Sequence, residues 1–167
     1  RSLAVLPLAL SRHRAALHVL VEFIRRPADL AFAEAYLSIA ARDELLLNHR
    51  AEGFTPFLRA VFRFRELAMD SASPFADPAL PVAVVQAFVH AGASTNEVFD
   101  DHEAIKKLGE KHPRYHLQRA NALHIALNGT VQLPLLACLL NQAKVNPNNQ
   151  RIGGNSPLHD LIEKKRY

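Results

Sequence analysis

Apolar residues recur along this chain at helical spacing, as in Leu17, Leu20, Val21 and Ile24, while runs alternating apolar and polar positions between paired turn signals are missing. The pattern predicts an all-α protein with helices near 2–11, 14–26, 29–41, 55–68, 81–91, 101–111, 121–128, 132–142 and 156–165. Pro56 and Pro157 fall at first helical positions, where the missing N–H has no intrahelical partner to lose, and Pro27 and Pro81 punctuate the connections. The predicted helices pair as short antiparallel hairpins.

The helix starts repeat one spelling. "SPLHDLIEK" begins at Ser156, "NALHIALNG" at Asn121, "TPFLRAV" at Thr55 and the fainter "AALHVLVEF" at Ala15, so that the starts are 40, 66 and 35 residues apart. Read alone, Ser156, His159 and Asp160 spell a catalytic triad. Asp160, however, adjoins His159 on a helix and points roughly 100° away from it, so it is poorly placed to orient the imidazole. Recurrence of the string makes it a turn-plus-helix device instead: the Ser, Thr or Asn caps a helix and the His satisfies main-chain groups of the turn. Ser156, Thr55, His18, His124 and His159 are accordingly read as scaffold residues, and at Phe57-Leu58 the histidine is replaced by packing.

Two further strings complete the unit. "FVHAGASTN", 88–96, ends a helix in bulky apolar residues followed by a Gly-Ala turn, with Gly92 free to take the left-handed conformation; "LLNQAKVN", 139–146, is the same series one residue shorter. On these strings the chain resembles the ankyrin-repeat family, whose period is about 33 residues. The resemblance implies an ankyrin solenoid of about four irregular helix pairs in a single domain spanning 1–167, with repeats near 14–47, 48–98, 119–146 and 147–167. The long second interval holds two insertions, the Ser, Pro and Asp-rich 68–81 and the charged, helical 99–118.

With 167 residues, 49% of them hydrophobic, the chain can bury a substantial core. It has no apolar run long enough for a membrane span, and the expectation is a soluble, intracellular protein that does not engage membranes. Twenty basic and sixteen acidic residues give a mild +4, and the absence of an interleaved aromatic and basic stripe argues against nucleic acid. Cys138, the single cysteine, sits in "LPLLACLL" as a small apolar filler. No cofactor is expected. His112, His116 and His124 could suggest a metal site, but Pro113 disfavours helix before it and no further ligand has recognisable spacing, so none is expected. Asp100, Asp101 and Glu103 read as a solvated helix start. No catalytic residue is expected either.

The resemblance also implies a concave wall made by hairpin tips and exposed inner-helix faces. By motif position that wall holds Arg50, Glu52, Phe54 and Arg59, then His116 and Gln118, then Arg151 and Asn155. An exposed Phe54 beside Arg50 and Arg59 has hot-spot composition; the alternative is that Phe54 covers the next repeat. Lys106, Lys107, Lys111 and Arg114 of the 99–118 insertion project positive charge toward an acidic patch on a folded protein partner, the alternative being a disordered, tolerated loop. Lys164, Lys165 and Arg166 give the last helix a polar close.

Starting at Arg1 rather than Met, the chain is expected to be a piece of a larger protein. Irregular Ala, Leu and Arg-rich arrays of this kind resemble the C-terminal ankyrin domains of secreted bacterial effectors, including the arginine ADP-riboxanases. That resemblance implies secretion into a host cytoplasm and capture of a host protein such as a caspase, with catalysis elsewhere in the protein. A catalytic domain on a repeat scaffold, and a scaffold packing on its own chain, are the competing expectations.

Overall fold

The computed structural model describes residues 15–69, 79–128 and 132–164, and these are built from helices and turns. The α-helices are α1 Ala16–Phe23, α2 Pro27–Ala40, α3 Glu44–Leu47, α4 Pro56–Met69, α5 Ala79–His90, α6 His102–Leu108, α7 Ala122–Leu127, α8 Leu133–Asn141 and α9 Pro157–Lys164. Short 3-10 turns at Gly109–Lys111 and Tyr115–Leu117 lie between α6 and α7. The expected helix at 2–11, residues 70–78 of the first insertion, and Lys165 and Arg166 lie outside the described residues.

Several helices start where the sequence satisfies orphan N–H groups or supplies a proline that has none. The Thr55 hydroxyl accepts from the Leu58 N–H (3.3 Å), the Asn121 side chain accepts from the His124 N–H (3.3 Å), and Pro56 and Pro157 open α4 and α9. Pro27 opens α2 instead of preceding it, because the Asp29 carboxylate takes the N–H groups of Arg25 and Arg26. Pro81 lies in the first turn of α5, where a proline removes no helical hydrogen bond. Gly92 has φ +82°, and the Gly92 and Ala93 N–H groups return to Val89 and Phe88 carbonyls to end α5. The one-turn α3 is additional to the expected helices; Asp43 caps it and it buries Leu46 and Leu47.

The helices stack in two layers. α1, α4, α7 and α9 pack side by side in one layer, α2, α5 and α8 in the other, and α1–α2, α4–α5 and α7–α8 join across them. α4 is the centre of the first layer. Phe57, Leu58, Ala60, Val61, Phe64 and Leu67 are buried on it, leaving Arg59, Arg63 and Glu66 as a polar stripe at intervals of four and three. Every residue of α7 is buried, since neighbours cover it on both sides and behind.

Hairpin-like turns project from the first layer and bond to one another sideways. Asp100 N–H donates to Gly53 C=O (2.9 Å) and Ile152 N–H to Gln118 C=O (2.8 Å). Asparagines tie the other ends: Asn48 Oδ1 accepts from Ser94 N–H and Asn96 Oδ1 from Asn146 N–H. The 99–118 insertion grows from the middle turn. Its base is closed by Phe99 N–H to Ala120 C=O (2.8 Å) and Arg119 N–H to Phe99 C=O (2.9 Å), and the Phe99 ring, fully buried, lies 4.7 Å from the Phe54 ring.

Gly53 makes that seat possible. Its φ is +82°, and a Cβ there would come within 2.6 Å of the Phe99 ring and 2.9 Å of the Asp101 Cβ. Gly92 has the same φ but open space around it. Gly92→Ala should therefore cost only backbone strain, about 1–2 kcal/mol, while Gly53→Ala adds displacement of a buried ring, typically about 1–3 kcal/mol more. Chemical denaturation of the two variants checks the difference, and equal losses would contradict it.

The histidines of the repeated string act as ties. His124 Nδ1 accepts from Asn121 N–H (3.3 Å) and its Nε2 donates to the Asn155 carbonyl (3.1 Å); His18 Nε2 donates to the His49 carbonyl (2.8 Å). Burial, the largest influence on both rings, holds His18 and His124 below the ordinary 6.5. A folded-state value below the unfolded one means the unfolded chain takes up protons first as pH falls. Stability is thus complete above about pH 6.5 and declines below it until the folded-state histidines also titrate. A melting midpoint that falls from pH 7.5 to 5, with a shallower fall in His124→Gln, is the expected result.

Candidate partner-binding surface

The turns and the exposed stripe of the first layer meet at an angle that holds two hollows. One, of about 250 Å³, lies between α1, the first turn and α4 and is lined by His18, Glu22, Glu52 and Arg59 among others. The second, about 280 Å³, lies between the insertion's return, α7 and α9, with His116, His124, Arg151, Asp160 and Glu163 on its walls and Leu117 and Leu127 within it. Of the eight residues expected on a concave wall, Glu52, Arg59, His116 and Arg151 border these hollows and Arg50, Phe54, Gln118 and Asn155 do not; the side chains of the expected residues fall into three groups.

The first group is committed to structure. Arg50 donates to the Gly53 carbonyl (2.9 Å), the Val98 carbonyl (2.6 Å) and the Glu97 carboxylate (2.8 Å), fastening the first turn to the segment before the insertion. Gln118 donates to Asp100 (2.6 Å) and accepts from Asp101 N–H (3.2 Å). Arg151 makes a fork to Asp160 through Nε and Nη2, both at about 3 Å, and Asn155 Nδ2 reaches the same carboxylate at 3.3 Å. Burial alone would raise the Asp160 pKa, but the bonds and charge of Arg151 outweigh it and hold the carboxyl below its usual range. Asp160 is thereby engaged by Arg151, while Ser156 Oγ lies 2.8 Å from His159 Nδ1 within the α9 cap.

Phe54 is the correction. Expected as an exposed hot spot, it is 0% exposed, because the insertion returns Phe99 onto one side of its ring and α4 places Phe62 on another, 5.0 Å away. The second group surrounds that ring. The Arg59 and Arg114 guanidiniums each lie 5.4 Å from the Phe54 centroid; Arg114 also lies 5.7 Å and Arg65 5.4 Å from Phe62. Arg59 is paired with Glu22 at 2.7 Å, Arg63 bridges Glu22 and Glu66, and Arg65 Nε donates to the Asn128 carbonyl. Arg65, Arg63, Glu22 and Phe62 were not among the expected site residues, although "RAVFRFRE" in α4 carries the signal of the two arginines and the phenylalanine; Glu22 comes from α1.

The third group is exposed. Lys106, Lys107 and Lys111 stand on α6 and the turn after it, and among the described residues they have no ion pair. Glu52 is exposed in a left-handed turn with φ +50°. His116 is exposed at the rim of the second hollow; partial loss of water and then the charges of Arg65 and Arg151 keep its imidazole below 6.5. In the expected acidic helix start, the Asp100 carboxylate accepts from Gln118 across the insertion's base, and the Asp101 carboxylate lies 3.6 Å from His112 Nε2. Among the described residues no three His, Cys, Asp or Glu side chains converge to hold a metal, and no helix is long and apolar enough to cross a membrane.

These surroundings separate two variants. Arg50→Ala removes charge-assisted bonds to two fixed carbonyls and should cost about 1–2 kcal/mol after allowance for its partial exposure. Joint reversal of Lys106, Lys107 and Lys111 to Glu should leave the melting midpoint within error, since nothing in the fold leans on those side chains. A large loss in the triple variant would place them in the scaffold. Comparison with known proteins returned no match to a family model, to a curated protein or to a solved structure.

Proposed function

We propose that the chain is a degenerate ankyrin-repeat domain that serves as a protein-recognition module within a larger protein. One observation carries this reading: helix pairs stack in two layers with their turns bonded sideways, and the caps and histidines of the repeated string are spent inside that stack. Such a scaffold leaves the turns and the α4 stripe free to vary without loss of the fold. The partner is a folded protein presenting an acidic patch, since Lys106, Lys107 and Lys111 extend from the middle turn without ion pairs among the described residues. In the setting of a secreted bacterial effector this would be a host protein, a caspase being one candidate, and the chemistry would belong to another part of the protein.

A second reading, in which the domain packs on its own chain, is favoured by α9. Leu158 and Ile162, one helical turn apart, are 61% and 45% exposed, an apolar pair of the kind a further helix covers.

A photo-crosslinking residue at Lys107 or His116, compared with one at Ala31 or Ala137 on the opposite layer, tests the two. The experiment uses the full-length protein in its cell. Cross-links to another polypeptide from the first pair of sites and not the second are expected. Cross-links confined to the protein's own chain would overturn the module in favour of the self-packing scaffold.

A further inference from the structure

The guanidiniums around Phe54 and Phe62 are unlike the other arginines of the fold. We infer that Arg114, supported by Arg59 and Arg65, is a carboxylate receptor for an acidic segment of a protein partner; the inference rests on the recognition reading and gives its partner's chemistry.

The argument begins with how Arg114 is held. Its guanidinium lies over two buried rings, 5.4 Å from the Phe54 centroid and 5.7 Å from that of Phe62. A ring contact of this kind engages the π-face and holds the cation in place, while the N–H donors remain directed outward in a fork that matches a carboxylate. Among the described residues its carboxylate contact is Glu52, at the long distance of 3.5 Å, and that side chain is 72% exposed. Arg50 and Arg151, by contrast, already donate at 2.6–3.0 Å, Arg50 to the Gly53 and Val98 carbonyls and the Glu97 carboxylate, Arg151 to the Asp160 carboxylate. Arg114 therefore combines a fixed position with donors that an incoming anion can take, and little ordering entropy remains to be lost on binding.

The neighbours add charge without occupying the fork. Arg59 lies over the same Phe54 ring and Arg65 over the same Phe62 ring, and Arg65 has no ion pair among the described residues. Burial lowers the pKa of Arg65, although Glu66 opposes the shift, so the guanidinium is poorly solvated and gains from a nearby negative charge. The hollow beside Arg59 gives a segment room to lie against the cluster.

Carboxylates interspersed with neutral residues fit this surface better than a phosphodiester chain. Glu22, Glu52 and Glu66 stand among the arginines, and Asp100 on the adjoining turn. A polyanion with a charge on every unit must pass them closely, whereas an acidic peptide can place its carboxylates on the arginines and neutral residues on the glutamates.

The test uses the chain with a labelled peptide of alternating Glu and Ser and, in parallel, an oligothymidylate, read by fluorescence anisotropy at low ionic strength. Saturable peptide binding is expected, about tenfold weaker in Arg114→Gln and nearly as weak in Arg114→Lys, which keeps the charge but loses the fork, with exposed Arg119→Gln within about twofold of wild type. A wild-type readout independent of variant folding is the Arg114 Nε–Hε resonance, which should shift on peptide addition. Unchanged affinity in Arg114→Gln, or an unmoved resonance under saturation, overturns the receptor. Tighter, Arg114-dependent binding of the oligothymidylate overturns it in favour of nucleic acid. The cross-linking experiment stands apart from these: it can fail while the peptide binds, which removes partner capture alone, and succeed while the peptide does not, which removes only this receptor.

Discussion

Among the described residues no helix pair covers its apolar surface by itself, and the fold follows from that constraint. α7 is the extreme case: six residues, all buried, too short to persist as a helix in isolation. It exists because α4, α8 and α9 enclose it. Neighbour-only burial of this kind fixes a linear order of pairs and leaves the turns along one side, where sideways main-chain bonds from Gly53 to Asp100 and from Gln118 to Ile152 hold them in line.

What distinguishes surface from scaffold is how the donors of a side chain are used. Arg50 and Arg114 stand on neighbouring turns, and composition makes them equivalent. Arg50 donates to the Glu97 carboxylate and to the Gly53 and Val98 carbonyls, and those two carbonyls cannot leave without opening the turn. Arg114 is positioned by two rings and a distant, exposed glutamate. Equal charge thus gives one residue that fastens the fold and one that is available to a visitor.

Much of the fold was legible because its determinants are local. Helical spacing, first-turn prolines and the Ser, Thr and Asn caps each act within about four residues, and they placed α4, α7, α8 and α9 to within a residue or two. One-turn α3 escaped because four residues are too few for the helical period to repeat. The site was less legible. Motif position puts Phe54 at a turn tip and hence outside, but Phe99, forty-five positions later, folds back onto it through an insertion that no local pattern describes. The clustering of Arg59, Arg65 and Arg114 has the same origin: two come from one helix, the third arrives with the returning insertion. The commitment of Arg151 and Asn155 to Asp160 depends on the turn before α9 closing, which spacing alone does not report.

The base of the insertion has an evolutionary consequence. Two main-chain bonds between Phe99 and the Arg119-Ala120 pair bring the ends of the excursion together, and Ile105 and Leu117 seat its two limbs on the core, so its outer part is held at its base. Loop closure grows costlier only slowly with length. Residues 106–111, all exposed, can accordingly be lengthened, shortened or exchanged with small effect on the helices beneath, provided Phe99 keeps its seat against Gly53 and Leu117 its place in the core. Selection can then rewrite the part of the surface farthest from the core, and adapt it to a changing target, while the scaffold stays fixed.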